Sequence, residues 1–517
     1  MIMGFYIFSK IIILSVFLSI FFTNKLNASL SGPCLVVLSF FKRYPAFPFY
    51  VFLFSVVMFV LVRGLVQQGM FMDGIQYACV SKNLAEGYGS FWFPFLSPFW
   101  CQNGAFHFFE HPPLFYWAES CFFHIPGAGA YAEKLFCAVL WLLNAGFIHS
   151  LWKLVYVKDY DKKRFGWLPL LLWTITPVCF WCFHNNMIEI LVSLFVLSSV
   201  YFGLCFLMNE QKKNYHYLVL SAILLYAGFL TKGLVALFPL SMFLVFALTH
   251  RKLPLGKAFL YTGIAVVVFA VLFLSVYLIS PSANYMLNFY FKERLLSRIE
   301  QTPTTSNRFE LLFDLVSQLL PVLMIAAGAF LTQLARKRLP GRNEGRSWFR
   351  FFLLMGFCGS LPIMLTMVQK GFYFMPSLGF YALAFSALIL GFFRSCRLNM
   401  QQMSYKVFKG LSLLLAVASV VSVIWSAGKF SRDEALLKEV HELGAQMEHE
   451  RTINVDMDVY CTWNYQFYLQ RYHRVYLDPT KTYRNYLLVN DPAKTGWLYR
   501  YRFVRQLGSG FSLYERK

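Results

Sequence analysis

Charged residues are scarce in this sequence, since only 14% of its 517 residues are Asp, Glu, Lys or Arg. A soluble globular chain has about a quarter. The eleven cysteines include no zinc-type pair in a polar loop, and the one C-x-x-C pattern, Cys179 and Cys182, lies in an apolar run where small buried hydrophobes are expected. No solenoid-type repeat is present. These features exclude an ordinary soluble enzyme, a disulfide scaffold and a repeat array.

Long apolar runs dominate instead, and 58% of the residues are hydrophobic. A run of about 18 or more apolar residues can cross roughly 30 Å of hydrocarbon. The sequence therefore predicts a polytopic membrane protein. Eleven spans are expected, at 45–66, 134–155, 166–183, 187–207, 215–231, 233–249, 258–279, 309–334, 348–366, 372–393 and 407–427.

The net charge of +22 is distributed by loop. Lys and Arg cluster before the first span and in the even-numbered connections. The alternate connections are longer but contain only seven Lys and Arg residues: Lys82, Lys232, Lys292, Arg294, Arg298, Arg308 and Lys370. Positive loops stay in the cytoplasm. The loops 67–133 and 280–308 are therefore predicted on the outer side. The basic excess encodes orientation, so a nucleic-acid partner is not expected.

Three regions follow from this topology. Residues 1–44 form an N-terminal extension or an extra transmembrane segment, 45–427 the membrane domain, and 428–517 a small outer domain. Phe430 to Glu450 has the apolar periodicity of an amphipathic helix, and strand-like runs begin at Ile453. The fold class is an all-α membrane protein with a small C-terminal α/β domain.

Asp73 stands just after the first span, in Met72-Asp73-Gly74-Ile75-Gln76. With Gln76 three residues on, it fits a capping box that opens a helix over 75–85. It also fits a carboxylate at the outer face that accepts a proton from an incoming hydroxyl. The spacing leaves both interpretations open.

The second motif of the outer loop is Phe109-Glu110-His111-Pro112-Pro113-Leu114-Phe115-Tyr116-Trp117. Two prolines can open a helix, which is predicted to run to about Phe123. Glu110 and His111 then lie at a helix N-terminus, where anions bind. The structural alternative is an aromatic belt at the membrane surface.

These motifs resemble the GT-C glycosyltransferases of family 39, which include protein O-mannosyltransferases and the bacterial aminoarabinose transferase of lipid A. F-E-x-P-P-L-x-Y-W is the most specific element, although His111 stands where the bacterial transferases usually have Lys. The other matching stretches are an acid opening the fourth span at Asn186-Met187-Ile188-Glu189, Leu230-Thr231-Lys232-Gly233, and Gln369-Lys370-Gly371-Phe372-Tyr373-Phe374-Met375-Pro376.

The resemblance implies a GT-C fold of about eleven to twelve transmembrane helices with outer juxtamembrane helices. It implies transfer of one sugar, with inversion, from a polyprenyl-phosphate donor to an acceptor on lipid A, protein or a surface glycan. The site would face the outside of a bacterial inner membrane. The partners would be the lipid-linked donor, the acceptor and the bilayer.

A phosphate leaving group needs cations rather than a second acid. The expected catalytic residues are Asp73, as general base, Glu110 and Glu189. The expected phosphate-binding residues are Lys370, Tyr373, His111, Arg294, Arg298 and Lys232. No cofactor is firmly implied, and Glu110 with His111 is a weak signal for a divalent metal.

Structural alternatives remain for several of these residues. Arg294 and Arg298 fit a surface helix over 289–299, and Lys232 fits a lysine that snorkels to the interface. Cys79 and Cys101 could form a bridge on an oxidising side.

Two other functions are weighed. A transporter or flippase of lipid-linked saccharides would place polar groups at mid-membrane and often repeat its halves. A scaffold that binds a partner through its outer domain would not need acids and cations collected on one side. The polar residues cluster at outer span ends in asymmetric loops, which favours the transferase.

Overall fold

The computed structural model describes residues 46–517 except 101–105, 210–213, 297–304, 306, 336–344, 366, 396–402, 448–449 and 497. The predicted segment 1–44, Arg298 and Cys101 lie outside the described residues. Within them, nine helices are long and apolar enough to cross a membrane. They are Phe47–Leu65, Gly129–Val155, Glu189–Met208, Tyr215–His250, Leu255–Ile279, Glu310–Leu334, Arg346–Leu365, Gly371–Phe393 and Met403–Ser426.

A bent helix pair gives a tenth candidate span when its two helices are counted as one. Tyr160–Thr174 and Pro177–His184 meet at 73° and correspond to the predicted span 166–183. Pro177 is the first residue of the second helix, where the ring cannot continue the preceding turn.

The difference from the expected eleven lies in Tyr215–His250, which is one helical run of 36 residues where two spans were predicted. The run breaks at Gly233, whose φ of +74° suits glycine. A Cβ on Gly228 would lie 2.9 Å from the Cβ of Ala236, although eight residues of straight helix would separate them by about 12 Å. The run therefore folds back on itself, and its two limbs match the predicted spans 215–231 and 233–249.

The predicted outer loops lie together on one side. The Arg294 guanidinium contacts the Glu110 carboxylate at 2.6 Å, and the N–H of Gln68 donates to the carbonyl of Lys429 at 2.9 Å. Six crossings connect Glu110 to Arg294 when the limbs of Tyr215–His250 are counted separately. An even number returns the chain to the same side, so these contacts support the two-limb arrangement.

Short helices form an outer layer over the spans, as predicted for the two loops. The Asp73 helix is Met72–Ala85, the motif helix is Leu114–Phe123 and the surface helix is Pro281–Phe289, which continues into a π-helical segment, Tyr290–Leu296. The motif helix ends at Phe123 as predicted. The surface helix begins eight residues before the predicted start at 289.

The capping interpretation of Asp73 is wrong. The N-cap residue is Phe71, it makes no side-chain cap, and Asp73 is the second residue of the helix. Its carboxylate therefore lies in the first helical turn, where the helix dipole favours negative charge, and is not used to close the helix end.

The C-terminal region contains a five-stranded sheet, as expected for a small α/β domain. The strands are β1 (Thr452–Val455), β2 (Tyr476–Asp478), β3 (Tyr486–Val489), β4 (Tyr501–Gln506) and β5 (Ser512–Arg516), in the order β2-β1-β3-β5-β4. β1 pairs in parallel with β2 and β3, and the pairs β3–β5 and β4–β5 are antiparallel. The helices are Glu434–Gln446, Met457–Tyr460 and Trp463–His473.

The helix Trp463–His473, called the tail helix below, joins this domain to the outer layer. The Tyr468 hydroxyl donates to the carbonyl of Met70 at 2.7 Å, three residues before Asp73. The Arg471 guanidinium pairs with the buried Glu133 carboxylate at 2.6 Å. Cys79 is a free buried thiol that contacts the carbonyl of Phe467 at 3.3 Å. The C-terminal domain thus packs directly on the Asp73 helix.

Candidate active site

A turn between two spans fixes the start of the Asp73 helix. The Asn185 side chain accepts the N–H of Phe71 at 2.7 Å, and the Asn186 side chain donates to the carbonyl of Gly74 at 3.2 Å. Asn186 has a φ of +52°, a conformation that asparagine tolerates better than most residues. Both ends of the first helical turn are therefore held by adjacent asparagines.

The electrostatic environment of Asp73 suits a proton acceptor. The pKa of its carboxyl is raised from 3.8 to about 6, because burial, followed by the Glu189 and Glu110 carboxylates, outweighs the opposite effect of Lys232 and Lys370. In the described part of the chain the Asp73 carboxylate has no hydrogen-bond partner. A base works best when its pKa lies near the operating pH, so this carboxylate can take a proton from a substrate hydroxyl.

Glu189 and Lys232 form a buried ion pair next to Asp73. Their side chains are 1% and 7% exposed. The Lys232 ammonium also lies 4.7 Å from the centroid of the Tyr373 ring, and its backbone carbonyl accepts the Tyr290 hydroxyl at 3.3 Å. Glu189 therefore neutralises Lys232, which presents less free positive charge to a phosphate than its sequence position predicts.

Lys370 differs from Lys232 in its exposure. Its side chain is exposed, and across the described ranges no carboxylate pairs with it. The N–H of Tyr373 donates to the Lys370 carbonyl at 3.0 Å, so the short helix Gly371–Phe374 carries the two residues together. Lys370 and Tyr373, both predicted as phosphate-binding residues, thus lie next to each other at one span end.

Glu110 and Arg294 form a second ion pair, 27% and 20% exposed. The Arg294 guanidinium comes from the π-helical segment that follows the surface helix. Because Glu110 already binds Arg294, a phosphate at this position would have to share the cation with the carboxylate. Partial exposure leaves the remaining N–H groups of Arg294 able to do so.

His111 is buried rather than open to the site, with 7% exposure. Its Nε2 lies 3.4 Å from the Tyr77 hydroxyl, one helical turn beyond Asp73. The described residues contain no group of three or more His, Cys, Asp or Glu side chains that could hold a metal ion. The structure therefore adds nothing to the weak metal signal from Glu110 and His111.

Glu119 is a functional candidate that the sequence analysis missed. It is fully buried and accepts hydrogen bonds from Ser81 and Asn186, both at 2.6 Å. Burial raises its pKa to about 8. Asn186 also donates to the carbonyl of Gly74. Glu119 therefore helps to fix the position of the Asp73 helix through Asn186. The sequence feature that could have identified Glu119 is its position as an acid in the otherwise apolar motif helix.

Lys134 is a second missed residue. Its buried ammonium donates to the carbonyls of Gly69 at 3.1 Å and of His184 at 2.5 Å. It therefore links the segment before the Asp73 helix to the segment before Asn185.

Comparison with known proteins agrees with this arrangement. Residues 110–277 match the family described as dolichyl-phosphate-mannose-protein mannosyltransferase. The structure is similar to ArnT from Cupriavidus metallidurans bound to undecaprenyl phosphate, with 17% identity, a TM-score of 0.57 and coverage of 94% of this chain and 98% of that one. The chain has the GT-C fold. The resemblance predicted from the motifs is confirmed by the family match over residues 110–277, and the predicted GT-C fold is confirmed by the structural similarity.

Two further GT-C structures give the same result for the fold. Apo ArnT from Cupriavidus metallidurans is 15% identical with a TM-score of 0.58, over 93% of this chain and 98% of that one. The apo oligosaccharyltransferase of Archaeoglobus fulgidus is 13% identical with a TM-score of 0.51, over 85% of this chain and 65% of that one. No curated protein sequence matches the chain.

Proposed function

We propose that this GT-C protein transfers a single sugar from a polyprenyl-phosphate donor to an acceptor hydroxyl or phosphate. The observation that carries the proposal is the position of Asp73, whose carboxylate is half-buried, free of hydrogen bonds within the described residues and surrounded by Glu189, Glu110, Lys232 and Lys370. One base beside several cations is the set of groups that displacement of a phosphate requires.

For a hydroxyl acceptor, the reaction is a direct displacement at the anomeric carbon. The acceptor oxygen forms a bond to this carbon, and the bond from the carbon to the phosphate oxygen breaks. The acceptor proton goes to Asp73, and the bonding electron pair leaves with the polyprenyl phosphate. Attack opposite the leaving group inverts the anomeric configuration.

Lys370 is assigned to the donor phosphate, because it is the exposed cation next to Asp73. The Tyr373 hydroxyl and the Arg294 guanidinium are assigned as further hydrogen-bond donors to this phosphate. Lys232, neutralised by Glu189, stabilises the Tyr373 side chain through its cation–π contact. Glu110 orients Arg294, and Glu189 holds Lys232.

The outer loops belong to the side from which the lipid phosphate and the acceptor approach. The distribution of positive charge supports the periplasmic face of a bacterial inner membrane. The division into a membrane domain at 45–427 and an outer domain at 428–517 supports the same arrangement, with the outer domain packed on the Asp73 helix through Tyr468 and Arg471.

The proposal is tested by incubating the purified full-length chain with a panel of polyprenyl-phosphate sugars and candidate acceptors. We expect release of polyprenyl phosphate together with a new glycosidic or glycosyl phosphate bond of inverted anomeric configuration, read by NMR. A product of retained configuration would contradict direct displacement. Movement of intact lipid-linked sugar across a vesicle bilayer, without release of polyprenyl phosphate, would favour the flippase alternative.

A further inference from the structure

Residues 66–71, called the connector below, join the first span to the Asp73 helix and pair with a distant part of the chain. The connector lies parallel to the segment that leaves the last span for the C-terminal domain, since Gln68 and Phe430 form a parallel β-bridge. The N–H of Ser431 donates to the carbonyl of Gln68 at 2.8 Å. The chain that leads to Asp73 is thus bound along its backbone to the chain that leads to the C-terminal domain.

Tyr468, on the tail helix, contacts the connector through both backbone polar groups of one residue. The N–H of Met70 donates to the Tyr468 hydroxyl at 2.9 Å, and this hydroxyl donates to the Met70 carbonyl at 2.7 Å. Both residues are completely buried. A hydroxyl has one proton to donate, and the Asp433 carboxylate, at 3.0 Å, is a second acceptor for it. The Tyr468 side chain therefore holds the backbone three residues before Asp73.

The same face of the tail helix also contacts the motif helix. Arg471 is three residues after Tyr468, and residues at this spacing are neighbours on a helix surface. The Arg471 guanidinium pairs with Glu133 in the second span and lies 4.7 Å from the ring centroid of Phe123, the last residue of the motif helix. The tail helix thus contacts the connector and the motif helix at once.

The contact at Met70 matters because the Asp73 helix has no side-chain cap of its own. Its N-cap residue is Phe71, which makes none, so the first turn is fixed by contacts from outside the helix. Without the Tyr468 hydroxyl, the N–H and the carbonyl of Met70 would lose a buried partner, which is costly for polar groups away from water. The backbone would then move towards water, and Asp73 would move with it.

We propose that Tyr468 is a positioning residue of the candidate active site, through which the C-terminal domain fixes the place of the Asp73 carboxylate. The inference rests on the proposed transferase function and gives the C-terminal domain a part in it. Tyr468 contacts neither donor nor acceptor. It acts through Met70 and the first turn of the Asp73 helix.

The test compares Tyr468→Phe with Tyr460→Phe in the full-length chain in nanodiscs. The first variant keeps the ring that stacks on Tyr472 at 6.1 Å and removes only the hydroxyl. Tyr460 provides the matched control, because its hydroxyl also joins the C-terminal domain to the first outer loop. It donates to the carbonyl of Phe99 at 2.8 Å, in a segment other than the connector.

Two measurements need no donor, so they do not depend on the transferase proposal. Hydrogen exchange of peptides that cover 66–75 should be several-fold faster in Tyr468→Phe, because the Met70 N–H loses its acceptor. Labelling of Asp73 by a hydrophobic carbodiimide, which reacts with protonated carboxyls, reports the pH at which Asp73 titrates. Burial is the main cause that raises the pKa of Asp73 to about 6, so a displaced Asp73 should titrate at lower pH. Tyr460→Phe should match the wild type in both measurements.

The kinetic measurement adds the effect on transfer. Tyr468→Phe should lower kcat about tenfold or more, because a small displacement of a reacting group is costly, and should leave the KM for the donor unchanged. The pH inflection of the rate should move in the same direction as the labelling. Introducing 4-aminophenylalanine in place of Tyr468 keeps a donor for the Met70 carbonyl but a poor acceptor for its N–H, so the effects should be intermediate.

Two results would overturn the inference. The first is hydrogen exchange and Asp73 titration in Tyr468→Phe that equal those of the wild type, and the second is an equally large shift in Tyr460→Phe. If Tyr468→Phe does not fold, the 4-aminophenylalanine variant decides, and an unchanged titration of Asp73 in it contradicts the inference. If the labelling shifts as expected and the wild type transfers no sugar from any donor, the transferase proposal fails while the positioning contact stands.

Discussion

Gly74 packs directly against the carbonyl oxygen of Asn185, so closely that a Cβ at this position would lie 1.7 Å from that oxygen. No side chain fits between the two backbones. This contact, next to Asp73 in sequence, fixes the position of the first turn of the Asp73 helix relative to the span that begins with Glu189.

Gly74→Ala should therefore displace Asp73 from its neighbours. We expect a fall in kcat of about tenfold or more, since displacement of a reacting group by about 1 Å can cost a hundredfold. The measurement is transfer rate at saturating donor, with thermal unfolding alongside. Gly146→Ala is the control, because a Cβ there meets nothing within 4 Å, and its activity should equal that of the wild type. Equal activity of both variants would show that the contact does not position the base.

The rate of transfer should depend on pH through Asp73. The base acts when deprotonated, and its pKa is raised to about 6. Activity should therefore rise with pH through about 6 and reach a plateau near neutrality. Replacing Glu189 by Gln removes a carboxylate that raises the pKa, so the inflection should move to lower pH. An inflection that stays at the same pH in Glu189→Gln would show that the Glu189 carboxylate does not act on the pKa of the group that titrates.

Stability should change with pH in the opposite sense. A carboxyl whose pKa is higher in the folded state than in the unfolded state stabilises the fold fully below the unfolded pKa, and this stabilisation is lost as pH rises through about 6. Asp73→Asn should thus raise the free energy of unfolding at pH 7.5 by about 1–3 kcal/mol relative to the wild type. The gain should shrink towards pH 4. Thermal unfolding in detergent at the two pH values measures it.

Removing one partner of the Glu189–Lys232 ion pair should lower the stability of the fold more than replacing both partners. Lys232→Met leaves a buried carboxylate without its cation, and we expect a loss of about 3–5 kcal/mol of stability. The double variant Glu189→Leu/Lys232→Met should recover most of this stability. It should not recover activity, because the pair also holds the Tyr373 ring. A double variant that remains as unstable as Lys232→Met would contradict the pairing.

Lys370→Gln should affect donor binding rather than folding, because the side chain is exposed. We expect the KM for the polyprenyl-phosphate sugar to rise about tenfold or more, as a charge-assisted contact with phosphate is lost, with unfolding unchanged. Lys158→Gln, exposed in the connection between Gly129–Val155 and Tyr160–Thr174, is the matched control. An unchanged KM would assign the phosphate to Arg294 instead.

The fold was largely predictable from the sequence because lipid imposes strong constraints. Apolar runs and the distribution of Lys and Arg were enough to predict the spans, and the Pro112-Pro113 junction was enough to predict the motif helix. The fold-back at Gly233 agrees with the predicted boundary between the spans 215–231 and 233–249. The bend at Pro177 was less visible, since it lies inside the apolar sequence predicted as the single span 166–183.

The residues of the candidate site were selected from the sequence, but their ion pairs were not predicted. Asp73, Glu189, Lys232, Lys370 and Tyr373 were selected by resemblance, and the structure brings them together. That Glu189 neutralises Lys232, or that Glu110 binds Arg294, depends on contacts between residues 43 and 184 positions apart. The support from Glu119 through Asn186 also required three-dimensional information. The matching stretch that begins at Asn186 points to Glu189, and Glu119 lies two residues beyond F-E-x-P-P-L-x-Y-W.

The central claim is that Asp73 is the general base of a lipid-linked sugar transferase. The most direct test measures transfer rate and donor binding in parallel for wild type, Asp73→Asn and the exposed control Asp161→Asn. The account predicts that Asp73→Asn loses a factor of about 10²–10⁴ in rate and still binds donor, while Asp161→Asn behaves as wild type. Unchanged transfer by Asp73→Asn would contradict the account and return the search for the base to Glu189.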